Sequence, residues 1–202
     1  FVARSAPEPD RRPPTRSPSD LGGEKAVGPG AMDEDAALRY GRQIHRLLEV
    51  LPKSAITRDA AQRILASGPD PADEADVDAL FAEASAVLRS YPDLFGEDAL
   101  VEVDISADLP ALGEPIAGSI DRLVVMPDRI IAVDFKSNAT VPPSPESVPE
   151  GILRQMGAYL EALEQVFPDR EIDLRILWTK DASLTTLPHG IVRNALARTT
   201  TS

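Results

Sequence analysis

Residues 116–136 read IAGSIDRLVVMPDRIIAVDFK, and this stretch predicts the centre of the fold. Two largely apolar runs, 116–125 and 129–135, have the length and the β-branched content of strands. Proline and aspartate between them are typical of a hairpin turn. A symmetric turn centred between Pro127 and Asp128 places Asp121 opposite Asp134 on the neighbouring strand.

The facing carboxylates and a nearby lysine form the candidate chemical centre. Directly opposed residues on adjacent strands have Cβ atoms roughly 4.5–5.5 Å apart, and like charges there destabilise the sheet. A divalent cation would compensate Asp121 and Asp134, and Lys136, on the same strand face as Asp134, could neutralise charge on a phosphate. The alternative is an exposed sheet face where both acids pair with Lys136 and Arg122.

The regions around this hairpin predict an α/β (α+β) fold with a mixed sheet, flanking helices and a helical N-terminal part. Apolar spacing and terminal signals predict the elements, because helices repeat every 3.6 residues and strands every two. The predicted helices cover 33–51, 56–66, 70–88, 152–166 and 190–197, and further strands cover 100–105, 172–179 and the region near Leu184.

The N-terminal region has a different composition. Residues 1–30 contain six prolines and four glycines without periodicity, which is typical of a linker. We therefore expect residues 1–32 to be a linker or disordered lead-in and residues 33–202 to form one domain. Because the chain begins with Phe1, we also expect it to be a fragment of a longer protein.

Composition excludes several classes of function. The chain of 202 residues has no cysteine, so thiolate zinc sites and cysteine nucleophiles are excluded, and it has only two histidines. It has no P-loop motif, no apolar run of membrane-spanning length and no secretory signal. We expect a cytoplasmic protein that does not associate with membranes.

Four motifs in order give a resemblance to a known family. They are Gly-Arg-Gln-Ile-His at 41–45, Gly-Ser-Ile-Asp-Arg at 118–122, Val-Asp-Phe-Lys-Ser-Asn at 133–138 and Gln-Met-Gly-Ala-Tyr at 155–159. Together they resemble the core of a PD-(D/E)xK nuclease of the RecB-like type, which implies a restriction-endonuclease-like fold. Residues 130–187 resemble the C-terminal nuclease domain of AddA-type helicase-nucleases.

The resemblance implies a metal site and a catalytic lysine. His45, Asp121 and Asp134 would bind Mg²⁺ or Mn²⁺, with both aspartates also counted as catalytic, and Lys136 would act on the attacking water or the phosphate. Gly41, one helical turn before His45, would leave room above the imidazole. On spacing alone, a histidine beside an apolar helical stripe is more often packed in the core.

The remaining candidate residues have two possible roles each or act beside the metal ligands. Gln155 and Tyr159 lie on one helix face, where the resemblance implies catalytic roles: contact with water or backbone near the metal for Gln155, and with DNA phosphate for Tyr159. The alternative is a half-buried Tyr159. Glu102 would be a nearby supporting acid or an exposed strand residue, and Arg122 would form a salt bridge in the sheet or touch phosphate.

The resemblance implies a Mg²⁺-dependent deoxyribonuclease of the exonuclease type that acts in double-strand break repair and recombination. An upstream helicase motor would use ATP and feed it a single strand, and an AddB-type subunit would be its partner. The alternatives are a catalytically silent nuclease-fold module that binds DNA or a partner subunit, and an acidic protein-interaction domain. The net charge of −12 argues against tight DNA binding by this chain alone, because phosphate affinity comes from Lys and Arg.

Overall fold

A computed structural model describes residues 15–23, 34–110, 112–138 and 140–201. Within them, a five-stranded sheet is flanked by helices on both faces. None of the helices in these ranges is long and apolar enough to cross a membrane. The elements are α1 (Glu34–Val50), α2 (Arg58–Ala66), α3 (Glu74–Ser90), β1 (Ala99–Leu109), β2 (Glu114–Val125), β3 (Arg129–Lys136), α4 (Glu150–Val166), β4 (Glu171–Trp178), β5 (Ser183–Thr186) and α5 (His189–Ala197).

The sheet is mixed, as predicted. Its strand order follows the chain from β1 to β5. β3 and β4 are parallel, and the other neighbours are antiparallel. The parallel pair requires a crossover, which α4 supplies, because parallel neighbours cannot be joined by a tight turn.

The predicted register of the central hairpin is confirmed. Arg122 pairs with Val133 and Val125 with Ile130, and the Met126 N–H closes the turn on the Arg129 carbonyl at 2.9 Å. The ladder ends at Arg122–Val133, so Asp121 and Asp134, the next residues in register, are not paired through their backbones.

The ladder on the other side of β2 is interrupted at the same level. Val101 pairs with Arg122 and Val103 with Ile120, while the intervening Glu102 is unpaired. Glu102 has a φ of 48°, a left-handed conformation that is uncommon for residues other than glycine. At Asp121, β2 therefore has no backbone pairing with either β1 or β3.

Alternating side chains of β3 supply two separate cores. Ile130 and Ala132 are buried with α4 and α5, whereas Val133 and Phe135 are buried with α1, α2 and α3. This explains the uninterrupted apolar run, since a strand covered on both faces shows no polar alternation. Trp178, at the end of β4, is fully buried.

One predicted helix boundary was wrong. The signal Asp70-Pro71 does not start α3, which begins at Glu74. The Gln43 side chain donates to the carbonyls of Asp70 and Pro71 at 3.2 and 3.3 Å, and Arg42 pairs with the Asp70 carboxylate. These contacts with α1 hold Asp70-Pro71 in an irregular segment before the helix.

Part of the N-terminal region packs on the domain. The backbone of Arg16 hydrogen-bonds both Pro115 and Ala117 at 3.0 Å, and Leu21 is 1% exposed in the α4-side core. Residues 15–23 therefore contact β2 and α4. The rest of the predicted linker, 1–14 and 24–32, lies outside the described residues, and the domain boundary at residue 32 stays a prediction.

The close approach of α4 and α5 gives a stability test. A Cβ on Gly157 would lie 2.6 Å from the Val192 carbonyl oxygen, so Gly157→Ala should force the helices apart and cost about 1–3 kcal/mol. We expect a melting temperature lower by about 2–4 °C per kcal/mol, measured by circular dichroism. Gly190→Ala is the control, because no atom lies within 4 Å of its added Cβ. Equal melting temperatures for the two variants would contradict this packing.

Candidate active site

The site lies where β2 separates from both neighbouring strands. There, Oδ2 of Asp121 accepts the backbone N–H of Phe135 at 2.6 Å. A side chain thus takes the place of a missing ladder carbonyl, and the buried amide stays satisfied. The opening leaves room for side chains from other elements to reach Asp121.

α1 brings His45 to this opening. Its Nδ1 lies 3.3 Å from Oδ1 of Asp121, and its Nε2 donates to the Phe135 carbonyl oxygen at 3.2 Å. Gly41 permits the close approach of α1, since a Cβ there would be 3.1 Å from Oγ of Ser137. Burial acts to lower the pKa of His45, but the charge and hydrogen bond of Asp121 outweigh it and raise the pKa.

Glu102 joins His45 and Asp121. One ligand atom from each of these residues lies within 4.8 Å of the other two. Burial and the charge of Asp121 raise the pKa of Glu102, and the left-handed backbone of Glu102 is the kind of strain that clusters at functional sites. One imidazole and two carboxylates form a donor set that suits a hard divalent cation such as Mg²⁺ or Mn²⁺. The residues present therefore fit the predicted metal.

Burial acts to raise the pKa of Asp121. The charge and hydrogen bond of His45, the N–H of Phe135 and the charge of Lys136 together lower it below its ordinary value. Asp121 is therefore ionised at neutral pH, as a metal ligand must be.

Asp134, Lys136 and Gln155 form a second, adjoining group. Asp134 is 4% exposed; its Oδ1 accepts from Nε2 of Gln155 at 2.9 Å, and its Oδ2 lies 2.7 Å from Nζ of Lys136. Nζ also donates to Oε1 of Gln155 at 3.3 Å. Asp134, predicted as a metal ligand, is here held by an amide and an ammonium, beside the His45–Glu102–Asp121 cluster.

The charge state of Lys136 follows from this contact. Burial acts to lower its pKa, but the charge and hydrogen bond of Asp134 outweigh that effect and raise it. The ammonium therefore remains protonated at neutral pH. It is a fixed positive charge beside the predicted metal ligands.

Tyr159 is buried more deeply than in either of the two predictions made for it. It is 2% exposed, its hydroxyl donates to the Ser119 carbonyl oxygen at 2.6 Å, and it accepts from Nε2 of Gln155 at 3.1 Å. Both contacts are inside the protein, so this arrangement does not support the expected contact with DNA phosphate. Tyr159 instead connects Gln155 to β2.

Arg122 also has a different place. It is 2% exposed, donates to the Leu48 carbonyl oxygen at 2.7 Å and lies 4.7 Å from the ring centroid of Phe95. The Phe95 ring in turn stacks on Phe135. The expectation of a sheet salt bridge or a phosphate contact is replaced by a role in attaching β2 to α1.

Two contributors were missed by the sequence reasoning. The Phe135 backbone contacts both Asp121 and His45, and Ser119 accepts from Tyr159 through its carbonyl while its hydroxyl lies 3.3 Å from Oε2 of Glu102. Backbone groups carry no side-chain signal. Ser119 lies inside the Gly-Ser-Ile-Asp-Arg motif at 118–122, and that motif is the only signal for it in the sequence.

Comparison with known proteins assigns the class. The family model of the PD-(D/E)XK nuclease superfamily matches residues 21–196, and the chain belongs to this superfamily. The predicted restriction-endonuclease-like fold is confirmed. No curated protein matches the chain.

A solved structure agrees on the fold. A crystal structure of a protein from Eubacterium rectale, described as a candidate exonuclease, superposes with a TM-score of 0.51 at 14% identity. The match covers 86% of this chain and 66% of that protein, so the chain spans just under two thirds of its length. The structure of SSO0001 gives a TM-score of 0.33 at 14% identity, covering 78% of this chain and 72% of that one, which is too low to support an argument.

The proposed ligand cluster can be tested by calorimetric titration with Mn²⁺. We expect His45→Ala and Glu102→Gln to weaken binding by more than about tenfold, at least the loss seen when outer-shell partners are removed. Asp104→Asn is the control on the same strand, because it removes an exposed carboxylate that is not part of the cluster. Asp134→Asn tests the remaining predicted ligand. Wild-type affinity in Glu102→Gln would remove Glu102 from the cluster.

Proposed function

We propose that this chain hydrolyses phosphodiester bonds in DNA with the help of Mg²⁺ or Mn²⁺. His45, Glu102 and Asp121 would hold the cation, with Asp134 as the further ligand that the family pattern implies. The observation that carries the proposal is the convergence of these groups with a protonated Lys136 at the opening of β2. Metal ligands beside a fixed cation suit the stabilisation of a phosphate.

Each side chain has a task that follows from its contacts. When bound, the cation would polarise the scissile phosphate and lower the pKa of an attacking water. Lys136 offsets negative charge that develops on the phosphate, and Gln155 holds both Lys136 and Asp134 in place. The Phe135 carbonyl fixes the ring of His45, so that Nδ1 faces Asp121.

The finer proposal concerns the biological setting. We infer an exonuclease-type domain of an AddA-type helicase-nuclease, acting in the cytoplasm in double-strand break repair and recombination. An upstream motor would use ATP, an AddB-type subunit would be its partner, and a single strand would be fed to the site. Support comes from the motif resemblance over residues 130–187 and from the similarity in fold to a candidate exonuclease.

A catalytically silent module remains the competing proposal. It would keep the fold and bind DNA or a partner subunit without cutting. The contacts of Lys136 and the metal donor set favour the active enzyme, because a silent site has no need of a partly buried ammonium beside metal ligands.

Cleavage of labelled single-stranded DNA in Mg²⁺ or Mn²⁺ tests the activity. We expect Lys136→Ala to lower the rate by at least about 100-fold, as for other groups that stabilise transition-state charge, and a chelator to abolish it. Lys53→Ala should match the wild type, because Lys53 is exposed and outside the site. If the wild type does not cut DNA, its binding of Mn²⁺ is measured next. Binding that is lost in Asp134→Ala would indicate a metal site that is intact but needs the motor for cleavage. No Mn²⁺ binding would favour the silent module.

The need for a motor and partner follows from charge. A chain with net charge −12 should bind DNA weakly and lose affinity steeply with salt, whereas a tethered motor would replace affinity with effective concentration. We expect fluorescence anisotropy to give a Kd weaker than about 1 μM for single-stranded DNA at physiological salt, in the range of non-specific binding. Nanomolar affinity of this chain alone would contradict the proposed dependence.

A further inference from the structure

A buried carboxylate on α3 lies outside all four motifs. The side chain of Glu83 is 7% exposed. Its Oε2 accepts from the Tyr40 hydroxyl at 2.7 Å and lies 3.0 Å from Nζ of Lys180, while its Oε1 accepts from the Thr179 hydroxyl at 2.6 Å. Nζ of Lys180 also lies 3.7 Å from the ring centroid of Tyr40. We call these four residues the Glu83 cluster.

Two donors of the Glu83 cluster lead to the active site, one on the helix of His45 and one through a backbone contact with Lys136. Tyr40 lies on α1, five residues before His45. Thr179 directly follows β4, and its backbone N–H donates to the carbonyl oxygen of Lys136 at 2.9 Å. Through one residue on each side, Glu83 therefore connects the helix that carries the imidazole with the strand end that carries the lysine.

Stability alone is a weak reason for this cluster. A buried ion pair costs desolvation that offsets most of its attraction. A carboxylate with three donors from α1 and the end of β4 does, however, restrict the relative positions of those elements. Burial and the charge of Glu83 raise the pKa of Tyr40, so its hydroxyl keeps the proton that it donates.

The active site depends on that relative position. Lys136 must reach Oδ2 of Asp134 at 2.7 Å, while His45 must stay within 3.2 Å of the carbonyl of Phe135, the residue before Lys136. A shift between α1 and the end of β3 would lengthen the contact between His45 and Phe135, and would so move the imidazole away from the strand that carries Asp134 and Lys136. Displacements of about 1 Å in a catalytic constellation can cost about 100-fold in rate.

We propose that Glu83 is a positioning residue that acts through Thr179 on Lys136 and through Tyr40 on the helix of His45. The inference rests on the proposed nuclease function and deepens it. Glu83 touches neither the cation ligands nor DNA in this proposal; it sets the geometry in which Lys136 and His45 act together.

Kinetics of DNA cleavage test the role. We expect Glu83→Gln, which keeps the volume but offers one acceptor oxygen to three donors, to lower kcat about 10- to 100-fold. KM should change less than about threefold, because no substrate contact is removed. Thr179→Val should also lower kcat, whereas Thr179→Ser, which retains the hydroxyl, should keep a kcat close to that of the wild type. Glu74→Gln is the matched control, because it removes an exposed carboxylate from the same helix.

A merely structural role predicts another pattern. Glu83→Gln and Thr179→Val would then lower the melting temperature but leave kcat of the folded protein unchanged when it is assayed well below that temperature. Unchanged kcat in both variants, with a wild type that cuts and a Lys136→Ala variant that does not, would overturn the positioning role and leave the nuclease function standing.

A second readout does not need cleavage. The chain has four lysines, Lys25, Lys53, Lys136 and Lys180, so ¹³C-methylated lysine gives few resonances, and Lys136→Arg assigns that of Lys136. We expect the Lys136 resonance to move in Thr179→Val and Glu83→Gln but not in Glu74→Gln. If the wild type does not cut DNA, the proposed function fails separately. In that case, a Lys136 resonance with the wild-type chemical shift in both Thr179→Val and Glu83→Gln would overturn the proposal that Glu83 positions Lys136.

Discussion

The hydrogen bond from the Phe135 N–H to the Asp121 carboxylate is the contact on which the rest of the site depends. It satisfies a buried amide at the point where the backbone ladder ends, so β2 and β3 can separate without leaving a donor unpaired. The same carboxylate lies close to both His45 and Glu102. The Asp121 side chain thus replaces a backbone hydrogen bond at the end of the ladder and also belongs to the candidate metal site.

The helices that carry other residues of the site also form the hydrophobic cores of the domain. α4 covers one face of the sheet and supplies Gln155, which holds Asp134 and Lys136. Helices α1 and α3 cover the other face and supply His45 and Glu83. Charged groups are costly to bury unless they are paired, and here each of them has a partner from a different element. The geometry of the charges is therefore tied to the packing of the cores.

Much of this could be predicted because its signals are local. The turn at Pro127 and Asp128 specifies the hairpin register, which places Asp121 level with Asp134, and strong periodicity indicates the long helices and buried strands. Local signals also misled. Asp70-Pro71 has the form of a helix start, but contacts from α1 hold it outside the helix. Tyr159 lies on the same helix face as Gln155, as the spacing requires, but its hydroxyl donates a hydrogen bond to the Ser119 carbonyl oxygen inside the protein.

Local sequence patterns predict the mixed fold with its helical N-terminal part, the hairpin and the motif residues, since periodicity, turn chemistry and motif spacing are properties of neighbouring residues. Which of these groups come into contact depends on the packing of the folded domain. It brings Glu102 into the cluster with His45 and Asp121, turns Arg122 toward Leu48 and links Glu83 to Lys136 through Thr179. These contacts join residues distant in the chain, and their distances depend on how helices pack against the sheet, which no local pattern encodes.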